Sequence, residues 1–131
     1  MTPREFEDMV ASIGLSPVPE RFRRLIENVA FLIEDDVSEE LRHSEGLSDR
    51  ETLLGLYHGI PRTERGNAYG TFGTMPDTIT LFREPILRTA KEDDMPVKKV
   101  IEETIWHEVA HHFGLTDHQM KILEEKQKTK K

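Results

Sequence analysis

The stretch VKKVIEETIWHEVAHHFGLTD, residues 97–117, constrains this chain more than any other. VKKVIEETIWHEVAHHF reads as one helix. Gly114 supplies its stop, because glycine tolerates the left-handed backbone of a residue just past a helix end. Residues four apart on a helix lie about 40° from each other around the axis, so His107 and His111 project from one face. Two imidazoles at that spacing can share a metal ion. Glu108 sits about 60° around the helix from His111, near the ligand face but not on it. Its carboxylate can therefore reach a water at the ion without occupying the metal.

Two histidines supply only part of a coordination shell. Imidazole nitrogen suits zinc, and a catalytic zinc takes three protein ligands and keeps one position open. After Gly114 turns the chain, Asp117 can swing a carboxylate toward both imidazoles, which gives the string HExxHxxGxxD. HExxH alone should arise by composition in such a chain about three times in a thousand. Asp117 also has a plainer reading. Thr116 and Gln119 look like the N-cap and third residue of a capping box, and an acid in a first helical turn is favoured by the macrodipole. His118 is the first substitute ligand, followed by Glu124 and Glu125. His112 lies about 100° from His111 and points away from the shared metal. Trp106, Ala110 and Phe113 cluster opposite the ligand face and are expected to pack the helix on the core. His43 and His58 receive no role.

The length of 131 residues fits a single domain over 1–131, with the N-terminal helix (1–15) and a basic tail (126–131) expected at the periphery. Hydrophobic residues are 36% and charged residues 33%, and no apolar run is long enough to span a bilayer, so no membrane partner is expected. The net charge of −7 argues against nucleic-acid binding, which needs a concentrated basic face. The absence of cysteine removes disulfides, thiolate ligands and cysteine nucleophiles together. The start MTPREFEDMV is charged where a secretory signal would be apolar, and a cytoplasmic monomer is the expectation.

Elsewhere, Thr2, Pro3 and Glu5 fit the cap, first position and capping-box acid of a short helix that Gly14 can close. Phe22, Leu25, Ile26 and Val29 recur at helical spacing and predict an amphipathic helix. VAFLIEDD reads as a buried strand ending in Glu34, Asp35 and Asp36, which are expected to be solvated. LLGLYHG reads as a second strand. Residues 60–77 form a long loop, a candidate lid. TITLF, residues 78–82, has strict polar and apolar alternation and is the clearest strand. EPILRTA and TDHQMKILEEKQK read as further helices. The order predicts an α+β fold, a small mixed sheet of three to four strands backed by helices.

At HEVAHHFGLTD, LLGLYHGIPRTERG and PDTITLF the sequence resembles the zincin metallopeptidases, and within them the short bacterial zincin-like family with a minimal fold. The resemblance covers roughly residues 15–125. It implies Zn2+ held by His107, His111 and Asp117, with Glu108 as general base in peptide-bond hydrolysis. It also implies that Thr78, Ile79, Thr80 and Leu81 form an edge strand that pairs with a peptide or protein substrate. Metzincins carry a third histidine where this chain has Asp117, and Met120 is too near to form their methionine turn. Tyr57, His58, Arg62 and Tyr69 are candidates for stabilising an oxyanion. Two other readings are a catalytically silent peptide- or protein-binding module that retains the zinc, and a purely structural zinc site with four protein ligands.

Overall fold

The computed structural model describes residues 1–26, 28–48, 51–59 and 76–129, with side chains of the last helix up to Lys126. Most of the expected loop, and with it the lid, Arg62 and Tyr69, lies outside the described residues.

The chain opens with α1 (Pro3–Ile13). Thr2 Oγ1 accepts from the Glu5 N–H at 3.1 Å, and the Glu5 carboxylate accepts from the Thr2 N–H at 2.8 Å, so the expected capping box forms. Gly14 closes the helix at φ 51°, where a side chain would be strained. The expectation that this helix is peripheral is corrected. Phe6, Val10 and Ile13 are buried and belong to the same core cluster as the sheet and the histidine helix.

The helix expected over Phe22 to Val29 is also corrected, since only one turn forms, α2 (Glu20–Arg23). The Asn28 carbonyl accepts from the Asp77 N–H, and Val29 begins β1 (Val29–Glu34). Strand pairing there overrides the local helical period. Phe22 and Ile26 keep their places against the core, while Leu25 is exposed.

After α3 (Glu39–Ser44), capped by Ser38, come β2 (Gly55–His58) and β3 (Asp77–Phe82). The sheet runs β1-β3-β2. β1 pairs parallel with β3, Val29 opposite Asp77 through Glu34 opposite Phe82. β2 pairs antiparallel, with Gly55 opposite Leu81 and His58 opposite Thr78. The edge-strand role expected for Thr78, Ile79, Thr80 and Leu81 is therefore overturned: all four are paired on both sides. Alternation read correctly that these residues form a strand, but pairing partners decide which strand is outermost. β1, expected as a buried strand, lies at one side of the sheet, and Leu32 is exposed there. Asp35, at its acidic end, accepts from Arg83 Nε at 3.1 Å.

Three helices follow, α4 (Arg83–Glu92), α5 (Val97–His112) and α6 (Asp117–Thr129). α5 buries Val100, Ile101, Thr104, Ile105, Trp106, Val109 and Ala110 against Ile79, Leu81, Ile86 and α1. Burying these side chains is the main force that seats the helix, at about 1.5–3 kcal/mol for each large aliphatic residue. β2 comes close to α5 at Gly55, where a Cβ would lie 2.8 Å from Thr104 Cγ2 and 3.1 Å from the Thr80 carbonyl oxygen. Among the described residues no helix is long and apolar enough to cross a membrane.

Candidate active site

The last turns of α5 carry the histidine pair. The His107 and His111 rings are 4.4 Å apart between centroids and tilted by 46°, as a one-turn separation on one face requires. α5 then ends in a Schellman motif. The Leu115 N–H reaches the Ala110 carbonyl, the Gly114 N–H reaches the His111 carbonyl, and Gly114 has φ 79°. This bend redirects the chain within three residues.

The expected capping box follows at once. The Thr116 N–H donates to Gln119 Oε1 at 2.9 Å, and the Gln119 N–H donates to Thr116 Oγ1 at 3.2 Å. Asp117 stands in the first turn of α6, where the plainer reading put it, and also faces the histidines. The two readings are compatible, because the cap fixes the backbone and leaves the carboxylate to reach back.

His107, His111 and Asp117 bring one ligand atom each to within 4.8 Å of one another, and all three are exposed. His111 Nε2 is 3.5 Å from Asp117 Oδ1. Two donors held at about 2.1 Å from one tetrahedral zinc lie about 3.4 Å apart, so this pair is already at ligand spacing. Two imidazoles and one carboxylate are a donor set that suits zinc and leaves a position for water. The residues therefore fit the ion the motif implies. Burial and the neighbouring His111 hold His107 below the ordinary histidine range, against the opposing pull of Asp117 and Glu124, which favours the neutral form that a metal requires.

The substitute ligands sit differently. His118 is exposed and outside the trio. Glu124 lies beside the site, but its Oε1 accepts from the Trp106 indole N–H at 3.1 Å. Trp106 and Phe113 pack on Phe22, with ring centroids at 5.8 and 5.6 Å, so the face opposite the ligands is the packing face, as expected. His112 turns away from the trio and stacks on Tyr57 at 3.9 Å.

Glu108 is partly buried beside His111. Burial pushes its carboxyl above the ordinary glutamate range, and Glu45 adds to this, while a hydrogen bond from the Tyr57 backbone N–H and the nearby His111 oppose it. The tie to Tyr57 was not visible in the sequence. A glycine inside LLGLYHG was the available signal, since glycine in a strand often marks a close approach of another element. Of the oxyanion candidates, the Tyr57 hydroxyl donates to Asp77 Oδ2 at 2.7 Å, and His58 is exposed at the end of β2.

The sequence profile of zincin-like metallopeptidases matches residues 26–127, most of the chain and all of the site. The chain belongs to the zincin-like metallopeptidase family. No curated protein matches it at a significant level. Among solved structures it is similar to a conserved hypothetical protein from Thermus thermophilus, with 23% identity and a TM-score of 0.52, over 86% of this chain and 94% of that one. α1 precedes the matched family segment and still supplies three core side chains.

Proposed function

We propose that this zincin-like protein is a zinc-dependent peptidase. The observation that carries the reading is the convergence of His107, His111 and Asp117 on one point, with the Glu108 carboxyl partly buried next to it. Zinc bound there would polarise a scissile carbonyl and lower the pKa of water toward about 7. Glu108 is the general base, taking the proton from the attacking water and passing it to the leaving amine. Its partial burial supports this, because a carboxyl raised above its ordinary range is a better base once ionised. Tyr57 orients that carboxylate through its backbone N–H, and His112 and Asp77 hold the Tyr57 ring and hydroxyl.

The substrate lies along β2. The Leu54 carbonyl accepts from the Phe82 N–H, so alternation turns the backbone groups of Leu56 and His58 toward β3 and those of Gly55 and Tyr57 toward the other side. β2 packs against α5, and strand addition through Gly55 and the Tyr57 carbonyl, the Tyr57 N–H being held by Glu108, would set a peptide beside the histidines.

Glu108→Gln tests the reading. It should retain stoichiometric zinc and lose cleavage of any peptide that the wild type cuts, as read by mass spectrometry on a peptide mixture. Cleavage that persists in the variant removes Glu108 from the chemistry. A zinc-loaded wild type that binds peptides and cuts none supports the binding module instead.

A further inference from the structure

A cavity of about 440 Å3 opens beside His107 and runs back along α5. Its lining from the helix is ordered by turn, with His107 and Glu108 first, then Glu103 and Thr104, then Val100. At 1.5 Å per residue this face is about 12 Å long, and Glu103 stands about 6 Å along the axis from His107. Gly55 and its neighbours before β2 form the facing wall, and the α4–α5 connection contributes Asp93 and Met95. The volume lies in the range of small-molecule pockets and leaves ample room for one long side chain.

Its chemistry is uneven. Leu54, Met95 and Val100 give the walls apolar surface, and Thr104 turns its hydroxyl onto the Val100 carbonyl at 2.7 Å. Asp93 and Glu103 add carboxylates away from the histidines, and no lysine or arginine is among the described lining residues.

We propose that this cavity selects substrates by taking a lysine or arginine side chain next to the scissile bond; the idea rests on the peptidase reading above. The long stems of these residues match the apolar walls, and their charged heads reach the solvent-facing carboxylates of Glu103, one helical turn from His107, and of Asp93 on the α4–α5 connection. A short cationic side chain would hold its charge close to the zinc, whereas a long one carries it away to Glu103 and Asp93. An acidic side chain meets two like charges there, and a leucine gains only the walls. An exposed carboxylate gives little by itself, but two acting on one cation amount to about tenfold in affinity.

The test separates recognition from chemistry. Zinc-loaded, full-length Glu108→Gln protein is titrated with acetylated, amidated alanine peptides that differ only in a central Lys, Arg, Leu or Glu. The Lys and Arg peptides should bind about tenfold tighter than Leu, with Glu weakest. Adding Asp93→Asn and Glu103→Gln should bring Lys and Leu within about twofold, and Asp93→Lys with Glu103→Lys should shift preference to Glu. Both pairs alter exposed side chains, and circular dichroism checks that the fold is kept. Equal affinities, a basic preference that survives neutralisation, or no peptide binding overturns the pocket. Cleavage by wild type is read separately, so a basic preference without any cleavage rejects the peptidase and keeps the pocket.

Discussion

His111 Nε2 and Asp117 Oδ1 stand 3.5 Å apart across the bend at Gly114, held there by two local motifs back to back. The Schellman turn ends α5 and the Thr116–Gln119 box starts α6, so neither needs the Asp117 carboxylate. Asp117→Ala is therefore expected to leave the helices intact and weaken zinc binding by at least about tenfold. His118→Ala should leave it unchanged. Titration of metal-free protein with zinc checks both, and the reverse ranking would assign the third ligand to His118.

Gly55 sets the distance between β2 and α5. Gly55→Ala places a methyl 2.8 Å from Thr104 Cγ2 and 3.1 Å from the Thr80 carbonyl oxygen, so the strand must shift at a cost of about 1–3 kcal/mol. Thr104→Ser removes the nearest of these atoms and should recover part of the loss. Urea melts of the single and double variants read the coupling. Additive losses would mean that the two side chains do not meet.

Trp106 ties α5 to α6 through the bond from its indole to Glu124. Trp106→Phe keeps a ring against Phe22 but loses the donor, and should cost about 1–3 kcal/mol, of which the bond itself is about 1. Glu124→Gln retains an acceptor and should be milder. A thermal melt that ranks Glu124→Gln below Trp106→Phe in stability would contradict this assignment.

Glu5 offers a test by pH. Its carboxyl is held below the ordinary range by the Thr2 backbone N–H and hydroxyl, so its contribution to α1 is present above the ordinary glutamate pKa. That contribution is lost as pH falls through the depressed value. Glu5→Gln keeps an acceptor without a titrating charge, so its thermal midpoint should fall less than that of the wild type between neutral and acidic pH. Equal slopes for both proteins would mean that the box carries no charge-dependent stability.

The separate parts of the site were legible because each follows a short-range rule. The i, i+4 histidines, the C′ glycine, the capping box at Thr116 and the inward face of Trp106, Ala110 and Phe113 all depend on neighbours within one or two turns. Helical period failed at Val29 for the complementary reason, since the residue is drawn into parallel pairing opposite Asp77, far away in the chain. α1 looked peripheral for a similar reason: its apolar face is plain in the sequence, but what covers that face is not.

By itself, then, the sequence determined the one-turn spacing of His107 and His111, the place of Glu108 beside them and the turn at Gly114 that brings Asp117 round to the histidines. Only the tertiary structure decided that β3 is central, that β2 lies beside α5 with the Tyr57 N–H on Glu108, and that a cavity lined by Asp93, Glu103 and Glu108 adjoins His107. Helix faces and caps are written in adjacent residues. Strand order and cavities arise from pairings such as Ala30 with Thr78 and Gly55 with Leu81, whose partners no local pattern specifies.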